Sequence, residues 1–185
     1  MGGELVKPLI EIGGRSCLDR ALAILGGRCH PLLIGGPDDG TLACPAAVVV
    51  PDLRRERLGP LAALEAAHAH LAGTAITHLV TVPGDTPFLP NDLVARLSAA
   101  DPRTASIARF RGRLHPTVAL WPLADLAGLG ARLDRQDTNR SLMGFLETIG
   151  FEAVDFPQAD DAPDGDPFFN LNTPQDLETA RSFAR

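Results

Sequence analysis

Short β-branched or leucine-rich runs alternate along this chain with stretches whose apolar residues recur at helical spacing. Residues 9–12, Leu-Ile-Glu-Ile, read as a strand closed by Gly13-Gly14. Ser16 then caps a helix with Leu18, Ala21, Leu22 and Leu25 on its apolar side, ended by Gly26-Gly27. Residues 31–34 and 46–50 read as buried strands stopped by Gly35-Gly36-Pro37 and by Pro51-Asp52. An alanine-rich helix over 58–71 follows, ended by Gly73. Residues 76–82, Ile-Thr-His-Leu-Val-Thr-Val, are a further buried strand, and 91–97 have helical periodicity, entered through Pro90 and Asn91.

The second half changes pattern. Residues 105–110, a turn at 111–113 and residues 114–121 predict a hairpin, followed by helices near 123–133 and 140–149. Residues 151–156 alternate like an edge strand. The acidic, Pro/Gly-containing stretch 158–166 reads as a mobile loop, and a last helix starts at Thr173-Pro174. Repeated βα units mean a mostly parallel central sheet with helices on both faces, a doubly wound α/β fold of three layers. No internal repeat or linker divides the chain, so residues 1–185 form one domain.

The turn after the central strand, Val82-Pro83-Gly84-Asp85-Thr86-Pro87-Phe88, carries one acid between a glycine and several prolines. The carboxyl ends of strands are where open parallel sheets bind ligands. A lone carboxylate on a stiff loop there suits Mg2+, which takes one or two protein carboxylates plus phosphate oxygens. Helix capping by Asp85 is the competing reading, and spacing alone leaves the two level.

With 185 residues, 45% of them hydrophobic and 22% charged, the chain is long enough for a substantial core. Its net charge of -6 argues against general nucleic-acid binding. No apolar run is long enough to span a bilayer, and the first residues lack the basic start and apolar core of a signal peptide. Three cysteines without CxxC spacing suit a reducing cytoplasm. Of 17 basic residues 16 are Arg, so the single Lys7 stands out as a point charge suited to a polyphosphate.

Several segments together resemble the molybdenum cofactor guanylyltransferases, within the nucleotidyltransferases of Rossmann-like fold. They are Met1-Gly2-Gly3 with Lys7-Pro8-Leu9, Asp52, Gly59-Pro60-Leu61, Gly84-Asp85-Thr86-Pro87-Phe88, His115-Pro116-Thr117 with Leu120-Trp121, and Phe169-Asn170-Leu171-Asn172-Thr173-Pro174. Those enzymes attach GMP from GTP to the terminal phosphate of molybdopterin and release pyrophosphate. The resemblance implies that Asp85 holds Mg2+ and that Lys7 contacts the GTP phosphates. It places Gly2, Gly3 and Asp52 in the nucleotide site. Asn170 and Asn172 would lie close to the metal and the reacting phosphates, and they stand with His115 and Arg140 on the molybdopterin side. Molybdoenzymes or their chaperones are the implied protein partners. A cytidylyltransferase acting on the same cofactor and a non-catalytic molybdopterin-binding relative are the alternatives.

Two departures qualify the match. The family pattern begins with a strand and a loop of the form LAGG-xxx-R-MGG, whereas this sequence starts at the MGG. The expectation is therefore a chain lacking the first strand, poorly stable and weak with GTP until extended upstream. The spacing from Gly3 to Lys7 is also one residue longer than usual.

Overall fold

The structure, a computed structural model, describes residues 6–183 apart from 57, 136 and 138. Its first elements are shorter than the pattern suggests. Lys7–Leu9 form a 3-10 turn, because Pro8 fixes its own φ and the amides of Leu9 and Ile10 fold back onto the carbonyls of Val6 and Lys7. Only β1 (Glu11–Ile12) of the expected strand remains, in a tight hairpin with β2 (Arg15–Ser16). Gly13 and Gly14, with φ of 60° and 75°, make that turn possible. Helix α1 (Cys17–Gly26) is capped as expected, the Asp19 amide donating to Ser16 Oγ at 3.0 Å.

Strands β3 (Leu33–Gly35) and β4 (Val48–Val50) pair in parallel, and α2 (Pro60–Leu71) follows. The main sheet is mixed. It orders β5 (His78–Thr81), β7 (Arg113–Pro122), β6 (Ala105–Phe110) and β8 (Phe151–Asp155) edge to edge. The β6–β7 hairpin and the β5–β7 pair are antiparallel, and β8 joins β6 in parallel as an edge strand. In the hairpin Ile107 faces Ala119 while Ala108 faces His115, so Pro116, Thr117 and Val118 bulge out of β7. Proline lacks the amide that the ladder would need there.

Alternation along β6 and β7 gives the sheet two apolar faces. One presents Ala105, Ile107, Ala119 and Trp121 to α2, α4 (Leu129–Asp134) and α5 (Leu142–Ile149). The other presents Ala108, Phe110, Val118 and Leu120 to α1 and α3 (Leu93–Leu97). This is the expected helix–sheet–helix layering. The helix expected near 123–133 is split, a 3-10 turn at Leu123–Leu126 passing through Ala127-Gly128 into α4.

The 158–166 stretch is packed rather than loose. The Ala159 amide donates to the Gly165 carbonyl at 3.0 Å, and Ala162 is 2% exposed in a third apolar cluster with Ile12, Cys17 and Phe88. The last helix, α6 (Pro174–Phe183), is capped reciprocally by Thr173 and Asp176. Among the described residues no helix is long and apolar enough to cross a membrane.

One seam interrupts the layer of strands. β3 pairs only with β4 and β5 only with β7, and no described strand bridges them. Between them lie two cavities. One of about 310 Å³ is lined by Leu33, Gly35, Leu79, Val80 and Trp121. The other, of about 280 Å³, is lined by Leu32, Leu33, Ile76 and His78.

Candidate active site

The carboxyl end of β5 runs through Val82-Pro83 into the Gly84-Asp85 turn, and two distant parts of the chain close on it. From the amino side, Pro8 lies so near Gly84 that a Cβ there would stand 2.9 Å from its Cγ. Only glycine admits that approach, and the approach carries Lys7 to the acid. Lys7 Nζ stands 3.3 Å from Asp85 Oδ2 and donates to Asn172 Oδ1 at 2.7 Å. From the carboxyl side, Asn170 Nδ2 donates to Asp85 Oδ1 at 3.0 Å, and the Leu171 amide donates to the Asp85 carbonyl at 2.9 Å. The segment 168–172 is not a strand, yet Asn170 reaches the carboxylate and Asn172 reaches the lysine paired with it.

Asp85 therefore does not cap α3, whose first turn receives no side-chain cap. Its side chain is 18% exposed, open enough for a ligand and dry enough to strengthen charge interactions. Cys17 lies close by: burial above all, with the Asp85 charge adding to it, pushes its thiol up to about 11. At neutral pH it is a protonated packing group, not a nucleophile.

The aromatic residues of the 168–172 segment fasten it. Phe168, 1% exposed, packs against His115 at 4.6 Å and edge-on to Phe156 at 5.1 Å. Phe169 meets Phe88 of the acid's own loop at 6.4 Å. His115, set at the edge of the β7 bulge, is only 6% exposed, and its Nε2 has no partner among the described residues. Burial pulls its imidazole below the ordinary value, with Arg113 lowering it further and Asp166 opposing. It sits beneath the asparagine segment rather than beside the carboxylate.

Asp52 and Arg140 belong to a different part of the molecule. Asp52 follows β4 on a surface loop, where partial desolvation and then the charge of Glu65 raise its carboxyl above the usual range. Arg140 lines a cavity of about 300 Å³ with Arg54, Arg55, Glu56, Leu58, Leu133 and Asp134. Gly2 and Gly3 lie outside the described residues. So Lys7, Asp85, Asn170 and Asn172 converge, whereas Asp52 and Arg140 lie toward the β4–α2 side. Arg54, two positions after Asp52, turns inward onto Glu65. Its other carboxylate partner, Asp134, is 80 residues away, so no local signal reveals it.

An α/β sheet that presents one carboxylate, one ammonium and two amides beyond the end of a strand is suited to binding a metal ion and phosphates. Solved structures agree on the fold. Molybdopterin-guanine dinucleotide biosynthesis protein A from Archaeoglobus fulgidus matches 95% of this chain and 89% of its own, with a TM-score of 0.69 and 19% identity. The 4-diphosphocytidyl-2C-methyl-D-erythritolsynthase from Anaerococcus prevotii matches 98% of this chain and 91% of its own, with a TM-score of 0.73 and 14% identity.

Sequence similarity then narrows the class. The family model described as MobA-like NTP transferase domain matches residues 1–149. A molybdenum cofactor guanylyltransferase from Rhizobium leguminosarum bv. trifolii is 40% identical over 173 residues, 91% of this chain and 80% of its own length. One from Acidiphilium cryptum is 36% identical over 181 residues, 97% of this chain and 87% of its own. The chain belongs to the molybdenum cofactor guanylyltransferase family of MobA-like NTP transferases.

Proposed function

We propose that this chain transfers GMP from GTP to the terminal phosphate of molybdopterin. An oxygen of that phosphate attacks the α-phosphorus of GTP. The new P–O–P bond forms as the bond from the α-phosphorus to the oxygen bridging the β-phosphorus breaks, and pyrophosphate leaves with the electron pair. The acceptor is already an anion at neutral pH, so little acid–base work falls to the protein. What the reaction needs is alignment of two polyanions and neutralisation of the charge that develops between them.

The convergence of Lys7, Asn170 and Asn172 on Asp85 carries this reading. The Asp85 carboxylate, with the Asn172 amide oxygen nearby, is an all-oxygen donor set of the kind Mg2+ takes when water and phosphate complete its shell. Among the described residues no group of three or more His, Cys, Asp or Glu side chains competes for a metal. Bound there, Mg2+ would neutralise phosphate charge. Lys7 would then move its ammonium from Asp85 onto the GTP phosphates. Asn170 would hold the carboxylate in place, and Asn172 would face the reacting phosphates. Asp52, beyond β4, would meet the nucleoside portion of GTP. Transfer in the cytoplasm, to molybdoenzymes or their chaperones, completes the reading.

The test is pyrophosphate release with molybdopterin, Mg2+ and either GTP or CTP. Release with GTP, absent with CTP and abolished by chelating the metal, is the expected result. Equal release with CTP, or none with either nucleotide, would contradict the reading.

A further inference from the structure

All three guanidinium nitrogens of Arg54 are engaged. Its Nε donates to Glu65 Oε2 and its Nη2 to Glu65 Oε1, both at 2.7 Å, a two-pronged pair with α2. Its Nη1 donates to Asp134 Oδ1 at 2.6 Å, and Nη2 also reaches the Gly130 carbonyl at 3.0 Å, both on α4. Gly130 is part of the arrangement. A Cβ at that position would stand 3.0 Å from Glu65 Oε1. The helix therefore leaves the space that the fork and its acid occupy.

One side chain thus ties the irregular loop after β4 to two helices, and that loop carries Asp52 two positions earlier. Among the described residues no regular hydrogen-bond ladder holds the loop, and β4 pairs only with β3. We infer that Arg54 is a positioning residue for the nucleotide site, setting Asp52 through its fork to Glu65, Asp134 and the Gly130 carbonyl. The inference rests on the reading of Asp52 as a group that meets GTP.

Replacement of the fork tests it. Arg54→Ala and Arg54→Lys are expected to raise KM for GTP about tenfold while kcat stays within about threefold, since a displaced binding group costs affinity before chemistry. Lys fails to rescue because an ammonium cannot serve both Glu65 oxygens and two α4 acceptors at once. In an Asp52→Ala background the Arg54→Ala effect on KM should vanish, because the group being positioned is gone. A merely structural Arg54 would lower the melting temperature and leave KM for GTP unchanged, and that result overturns the inference. So does an Arg54→Ala effect that persists in full without Asp52. If Asp52→Ala alone leaves KM unchanged while GTP is still turned over, the placement of Asp52 fails and the inference with it, but guanylyl transfer stands.

Discussion

Two regions of the molecule are built in opposite ways. Around Asp85, the amino- and carboxyl-terminal parts of the chain are fastened by polar bonds spanning 78, 85 and 165 residues of sequence. Behind them stand the closely paired β5, β7 and β6, with Trp121 fully buried and donating to Thr81 Oγ1 at 2.9 Å. Along the seam between β3 and β5 there is no ladder among the described residues, and mostly apolar side chains face two cavities. The β3–β4 pair and the Asp52 loop reach the rest of the fold through α2 and the Arg54 fork. The Asp85 centre is thus fastened from both ends of the chain, whereas the Asp52 loop, proposed to meet the nucleoside, depends on the less well secured unit. Substitutions near Asp85 should therefore act on chemistry, and changes at the seam should act on stability and GTP affinity.

The largest effect is expected at the carboxylate. Asp85→Asn keeps the shape and removes the charge, so kcat/KM for GTP should fall about a thousandfold, the equivalent of several kcal/mol of charge stabilisation. Its circular dichroism should match the parent chain, and near-normal turnover would remove Asp85 from the centre. Next come the asparagines that touch the carboxylate or the lysine. Asn170→Ala and Asn172→Ala should each cost about 10- to 100-fold, as loss of groups supporting a metal ligand does. If their apparent affinity for Mg2+ is unchanged, they do not serve that centre.

The seam yields the third prediction. A strand supplied to the seam would gain ladder bonds along both β3 and β5, each contributing about 1 kcal/mol net. A melting temperature about 10 °C above that of the 185-residue chain is expected by calorimetry. An unchanged melting temperature would mean that the seam accepts no strand.

The smallest effect concerns His115. Its folded imidazole titrates below the unfolded one, so the unfolded state binds more protons as pH falls through the ordinary value. The stability it contributes is present above that ordinary value and is lost as pH drops through the lower folded one. His115→Gln should flatten the fall in melting temperature between pH 7.5 and 5 by about 2 °C. Identical pH dependence in the two proteins would show that His115 is not held neutral beneath Phe168.

Much of this architecture is local and therefore readable in the sequence. The Ser16 cap, the β6–β7 hairpin, the β5 strand and the Thr173 cap follow from periodicity and turn chemistry within a few residues. Asp85 stood out because it is the one acid in a proline-fenced turn. The failures have equally physical causes. The strand expected at 9–12 is shortened to Glu11–Ile12 because the preceding 3-10 turn holds Pro8 against Gly84, a contact across 76 positions. The burial of His115 under Phe168 at the edge of the β7 bulge is likewise a contact across distant positions that no local signal reveals. The acids of 158–166 suggested a mobile segment and concealed the buried Ala162 among them. The Arg54 fork was invisible because one of its acids sits on α2 and the other on α4.

Binding of Mn2+, used as a paramagnetic substitute for Mg2+, tests the central claim most directly. Titrated in the presence of GTP and followed by the loss of free-ion signal, the parent chain should bind the metal at the Asp85 centre. Asp85→Asn should weaken that binding about a hundredfold while retaining the fold. Equal Mn2+ affinity in the two proteins would contradict the account, because the carboxylate on which Lys7, Asn170 and Asn172 converge would then not be the metal's ligand.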